Sequence, residues 1–250
     1  MINIVLFVSR SDYLPAIFAQ LEFLDCDRES TNLLTMVDGD QELYIDVRNK
    51  TQESKFNERL SIHFTDGAPP PERSISTRRR RIARLHEESK KYLKGGFVLG
   101  LEDDTLFPKD TLRRFERAYV ENPYMGMIEG VQLGRWKIPY VGAWQLDDIY
   151  EPTELKTLLP NTGIQKIDAG GFYCYMTRTE DYLKHKYDNY ENVLGPDVNY
   201  GVWLRKQGKQ NYIDWELNTD HLTKEGVINR FNTTPIELEY SKRKSWRRIT

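Results

Sequence analysis

Three carboxylates stand in a row at Glu102-Asp103-Asp104, after the apolar run Phe97-Val98-Leu99-Gly100-Leu101 and ahead of Thr105 and Pro108. Adjacent carboxylates repel one another, and burying them is costly unless positive charge joins them. A divalent cation with a preference for oxygen is the natural partner. The competing reading is an ordinary acidic turn whose Asp caps the next helix. A second cluster is the run Arg78-Arg79-Arg80-Arg81. With Ile82, Leu85 and Ser89 marking the buried face of a helix, Arg78 and Arg81 each precede a buried position by four residues. Both therefore start on the core-facing side of a helix N-terminus, where a phosphate is well received. Arg79 and Arg80 are expected to face water. A solvated basic face and a nucleic-acid patch are the other readings of the run.

The elements that must position these groups follow from hydrophobic spacing. Residues 2–8 read as a strand and residues 12–24 as a helix, with Leu14, Ile17, Phe18 and Leu21 at helical spacing and Pro15 in the first turn. Strands at 32–37, 60–64 and 97–101 alternate with helices at 42–54 and 74–93. This alternation belongs to a parallel, doubly wound α/β sheet. Ligands of such sheets bind outside the carboxyl ends of the strands, which is where Glu102, Asp103 and Asp104 are delivered.

Beyond Pro108 the pattern changes. A helix is expected at 109–120, then strands at 125–133 and 137–144 joined by a hairpin at Gly134-Arg135. Residues 146–162 read as an irregular loop. Residues 164–168 and 172–177 read as two strands around Gly170-Gly171. Helices follow at 179–186 and 196–207, the second stopped by Gly208, and a last strand at 211–215. One mixed-sheet domain is expected over 1–222, with a nucleotide half at 1–107 and an acceptor half at 108–222. A lid or basic tail would fill 223–250.

The chain has 250 residues, 36 Lys and Arg against 38 Asp and Glu, and a net charge of -2, so overall charge names no partner. Cys26 and Cys174 match neither a disulfide framework nor a metal-ligand spacing. No segment reads as a secretory leader or a membrane span, and a cytoplasmic protein is expected.

Four stretches in order resemble family 2-like glycosyltransferases with the A-type fold. Leu101-Glu102-Asp103-Asp104-Thr105 with Pro108 resembles the family's Asp-x-Asp-Thr-x-x-Pro, and Val37-Asp38-Gly39-Asp40 its Asp-Asp-Gly-Ser. The run from Gly195-Pro196-Asp197 to Arg205-Lys206-Gln207-Gly208 resembles its Glu-Asp-bearing helix, and His221 falls at its metal-binding histidine. The chain departs from the pattern at Glu102, at Pro196 and at the arginine-rich helix start.

The resemblance implies a metal-dependent, inverting transfer of sugar from a nucleotide diphosphate donor, a UDP-sugar, to an acceptor hydroxyl. Asp104 and His221 would hold the cation, with manganese favoured over magnesium by the imidazole. Glu102 would hold ribose hydroxyls or support the site. Asp103 would contact the donor sugar or face solvent. Asp38 would accept the uracil N3–H or serve as an ordinary turn residue, with Ser9 and Arg10 bordering the base. Gly170 and Gly171 would let the backbone approach the donor sugar, or form a plain turn. Trp144 and Tyr173 would stack on sugar rings or pack in the core. Lys224 and Arg230, or the basic cluster around Trp246, would close as a lid. Asp197 would be the general base or a helix cap.

The acceptor stays open among glycan, protein, lipid-linked sugar and modified DNA. A sugar-phosphate nucleotidyltransferase would need a glycine-rich loop after the first strand, and Ser9-Arg10-Ser11-Asp12 offers none. A non-catalytic carbohydrate or nucleic-acid binding module on the same fold is the rival from another class.

Overall fold

β1 (Ile2–Val8) and β2 (Thr31–Val37) are covered on both faces, as their apolar runs require. The structure is a computed structural model that describes residues 1–65, 75–133, 141–150, 154–158, 161–187, 195–223 and 226–229. Between the two strands, α1 (Leu14–Phe23) buries Leu14, Ile17, Phe18 and Leu21 along one stripe. α2 (Gln41–Glu53) begins where the Asp40 carboxylate accepts the Leu43 amide at 2.8 Å. β3 (Arg59–His63), α3 (Ile75–Ser89) and β4 (Phe97–Glu102) complete the expected alternation.

The second half runs β5 (Thr105–Leu106), α4 (Thr111–Glu121), β6 (Met125–Val131), β7 (Ala143–Leu146), β8 (Leu155–Thr157) and β9 (Ile164–Ile167). It continues through β10 (Ala169–Gly170), β11 (Cys174–Arg178), α5 (Thr179–Lys184), α6 (Pro196–Lys206), β12 (Gln210–Asn218), β13 (Asp220–Thr223) and β14 (Gly226–Asn229).

Eight strands form the main sheet in the order β3-β2-β1-β4-β11-β6-β12-β9. The first four are parallel, β11 is antiparallel to both its neighbours, and β12 runs parallel to β6. Ile4, Leu6 and Leu99 face α1, α2 and α4, while Val5, Val98 and Tyr175 face α3, α5 and α6. The sheet is thus mixed and covered by helices on both sides. Among the described residues no helix is long and apolar enough to cross a membrane.

Two local expectations change, and a third is not described. The Gly134-Arg135 turn lies outside the described residues, although Leu133 and Val141 beside it form an antiparallel bridge. β7 then leaves the main sheet and joins a separate one with β8 and β10, so the loop expected over 146–162 contains a strand. The segments either side of Gly170-Gly171 are not partners. β9 pairs with β12 at the sheet edge, and β11 lies between β4 and β6. The glycines carry the chain across the sheet rather than around a hairpin.

One side chain is out of keeping with its surroundings. Glu129 on β6 is 0% exposed, and the Gly171 backbone and the Tyr173 side chain lie against its carboxyl without a well-aligned hydrogen bond. Burial, opposed by the Gly171 backbone and aided by the Asp197 charge, pushes its carboxyl well above the ordinary glutamate value. The folded chain therefore keeps a proton that the unfolded chain releases above about pH 4.3. Folded stability should fall as pH rises from there towards the raised value. Glu129→Gln abolishes that titration. Its melting temperature relative to the parent should climb steadily between about pH 4.5 and 7.5, read by thermal denaturation at each pH. A difference that stays flat or shrinks would mean that Glu129 is ionised in the fold.

Candidate functional site

The register of the parallel strands sets the site. Phe7 lies opposite Glu102, and Val8 opposite Val37, so Ser9, Asp38 and Asp103 leave the sheet side by side at its carboxyl edge. Asp103 and Asp104 are each 2% exposed. Asp103 Oδ2 accepts the Ser9 amide at 2.6 Å, the Arg10 amide at 2.9 Å and the Ser9 hydroxyl at 3.3 Å. The Arg10 guanidinium donates to Asp103 Oδ1 and lies 2.8 Å from Asp104 Oδ2. Asp103 therefore does not face solvent. Both its oxygens are engaged by the loop after β1.

His221 arrives from far along the chain because β13 pairs antiparallel with β5, setting His221 opposite Thr105. The Leu222 amide donates to the Asp104 carbonyl at 2.7 Å. His221 Nδ1 is 2.9 Å from the Leu133 carbonyl oxygen, which can only accept, so Nδ1 carries a proton. Nε2 then points at Asp104 Oδ2, 3.3 Å away. This donor set fits a divalent cation. Two adjacent ligands of an octahedral ion lie about 3 Å apart for bonds of about 2.1 Å, and a carbonyl on the second ring nitrogen is the usual orienting partner. Among the described residues no third His, Cys, Asp or Glu completes a cluster. Such an ion would take its remaining ligands from substrate oxygens and water.

Asp38 and Arg81 meet at the same carboxyl edge, on the far side of β1 from β4. The guanidinium donates through two nitrogens to the two Asp38 oxygens, so Arg81 lies at the carboxyl end of β2. Arg78 is exposed, and its charge acts on Glu102. Burial and then the Asp103 charge push the Glu102 carboxyl up, while Arg78 and Arg10 pull it down. Arg79 is half-buried rather than simply turned to water, and its charge acts on Asp197. Helical phase alone did not place Arg79, because α6 packs against α3 and covers a face that an isolated helix would leave open.

Asp197 lies in the first turn of α6, whose N-cap is Gly195. Its Oδ1 accepts the Val198 amide at 2.9 Å, which satisfies one open donor of that turn. Burial raises the Asp197 carboxyl, while the Val198 amide and Arg79 oppose the rise. Gly201 on the same helix seats it closely, since a Cβ there would lie 2.7 Å from Ala169 Cα.

Gly170 and Gly171 have a packing reason. A Cβ on Gly170 would overlap the Glu129 carboxyl, and one on Gly171 the Tyr173 ring. Tyr173 itself is a core residue, its hydroxyl donating to the Gly130 carbonyl at 3.0 Å, and Trp144 packs beside Ala169, Val198 and Val202. Lys224, Arg230 and the tail around Trp246 lie outside the described residues. Sequence reasoning missed the bridging role of Arg10 and the buried Glu129. The only sign of the latter was a lone charged residue inside the apolar stretch Met125–Val131.

No protein-family model and no curated protein matches the chain. Among solved structures, S. aureus TarS superimposes with a TM-score of 0.53 at 12% identity, over 90% of this chain and 36% of that one. TarS 1-349 in complex with UDP-GlcNAc gives 0.51 at 11% identity, over 90% of this chain and 57% of that one. A197 from STIV gives 0.47 at 12% identity, over 90% and 86%. The chain thus spans between about a third and three fifths of the TarS chains. At such identities the likeness is one of fold. With its mixed eight-stranded sheet between two helical layers, the chain has a GT-A-like fold.

Proposed function

We propose that this chain is a metal-dependent glycosyltransferase that moves a sugar from a UDP-sugar to an acceptor hydroxyl with inversion at the anomeric carbon. The observation that carries the reading is the Asp104 carboxylate and the His221 Nε2 at 3.3 Å, at the carboxyl edge of the sheet. The UDP-GlcNAc bound to TarS 1-349 supports the donor class.

In this reading the Asp38–Arg81 pair borders the uracil and Glu102 the ribose. Asp104 and His221 hold the divalent cation, manganese by preference of the imidazole. When bound, that cation supplies Lewis-acid stabilisation of the charge growing on the leaving diphosphate. Arg10, Arg78 and Arg81 put positive charge along the same edge. Asp197 takes the proton of the acceptor hydroxyl as its oxygen bonds to the anomeric carbon and the bond to the diphosphate breaks. Burial suits Asp197 to this work, because a carboxylate raised above its ordinary value is a stronger base.

Two variants test the reading in initial-rate assays of sugar transfer. Asp104→Ala should lose at least roughly 100-fold in turnover, the scale of a lost electrostatic stabiliser. Parent-level turnover by that variant in EDTA would refute the assignment. Asp197→Asn should bind UDP as the parent does and transfer roughly 100- to 10,000-fold more slowly. The acid limb of kcat/KM in the parent should lie above the ordinary aspartate value of 3.8, since the base must be ionised and its carboxyl is raised. Near-parental transfer by Asp197→Asn would leave Asp197 only its bond to the Val198 amide.

A further inference from the structure

Arg10 stands where two demands meet. Its guanidinium lies 2.8 Å from Asp104 Oδ2, the same oxygen that faces His221 Nε2 at 3.3 Å. It also donates to Asp103 Oδ1, and its backbone amide donates to Asp103 Oδ2 at 2.9 Å. Its Nε, by contrast, is buried and has no hydrogen-bond partner among the described residues. A buried guanidinium N–H without an acceptor is costly and points to an oxygen supplied by a ligand. The side chain is 29% exposed, so a ligand at the sheet edge can reach it.

A cation between Asp104 Oδ2 and His221 Nε2 would bring two positive charges to contact distance of a third. The oxygen cannot serve both fully. A diphosphate, however, offers several anionic oxygens, and a guanidinium fork binds such groups through parallel N–H donors. Asp103 keeps the base of the Arg10 side chain tethered through the backbone, so only the tip needs to turn.

We propose that Arg10 and the divalent cation exclude one another on Asp104, and that the nucleotide diphosphate relieves the exclusion by drawing the Arg10 guanidinium, Nε included, onto its phosphate oxygens. This rests on the cation and donor assignments proposed above. Arg10 is then a positioning residue that makes cation binding follow nucleotide binding, and it also supplies one of the charges that hold the diphosphate.

The test measures Mn2+ affinity by calorimetry on the whole chain, with and without UDP, for the parent, Arg10→Gln and Arg10→Lys. Without UDP, Arg10→Gln should bind Mn2+ roughly tenfold or more tightly than the parent, and UDP should bind more weakly. The factor by which UDP tightens Mn2+ should shrink accordingly, because the two effects close one thermodynamic cycle. If Arg10→Gln folds only with cation, the rise of its melting temperature with Mn2+ should exceed that of the parent. If it does not fold at all, Arg10→Lys should still gain at least about threefold, since a strongly hydrated ammonium holds a buried carboxylate less firmly than the guanidinium nitrogen that touches both Asp103 and Asp104 here. Unchanged or weaker Mn2+ binding in the folded variant, with normal Mn2+ and UDP binding by the parent, overturns the proposal and leaves the parent reading standing. If neither parent nor variant binds Mn2+ with or without UDP, the cation assignment itself fails and this proposal with it.

Discussion

Asp103 and Asp104 are neighbours in the chain and both almost fully buried, and the carboxyl edge of the sheet is built around that fact. Two such carboxylates need compensation. Asp103 finds it in the Ser9 and Arg10 amides, and both find it in the Arg10 guanidinium. The same contacts tie the loop after β1 to the end of β4, so the charge that makes the cluster tolerable also fixes its shape. Breaking a well-buried pair of this kind costs about 3–5 kcal/mol, and the partial exposure of Arg10 reduces that figure.

Around this clamp the rest of the sheet delivers single groups. Asp38 comes from the neighbouring strand β2 and is met by Arg81 from α3. His221 comes from β13 through its pairing with β5, with the Leu133 carbonyl setting its ring. Asp197 comes from α6, which Gly201 lets sit against β10. Behind it lies Glu129, whose carboxyl fills the room left by Gly170. A buried acid is a cost to folding that an apolar residue of similar size would not impose. Asp197, Glu129 and Glu102 are thus three raised carboxyls, while Asp38, Asp103 and Asp104 are paired with arginine.

Much of this was legible in the residues. The alternation from β1 to β4 reads directly from apolar spacing, because parallel strands buried on both faces leave a continuous signal. The carboxyl edge follows from that topology, and with it the placement of Asp38, Asp103, Asp104 and Arg81. The second half was read less well. Gly170-Gly171 has the local look of a turn between two strands, but local spacing does not say which strand a segment will pair with. Here the chain crosses from the sheet edge to its middle. The partners of Asp103 were hidden for a related reason. A row of carboxylates shows that charge must be compensated, not which cation compensates which oxygen. Arg79 depends on the packing of α6 on α3, a tertiary contact with no trace in the phase of either helix.

Calorimetric titration of UDP in Mn2+ and in EDTA tests the central claim most directly. Binding that is at least about tenfold tighter with the cation is the expected result, on the scale of ordinary site coupling. Identical isotherms in the two conditions, or no binding in either, would contradict a cation held by Asp104 and His221 beneath a nucleotide diphosphate.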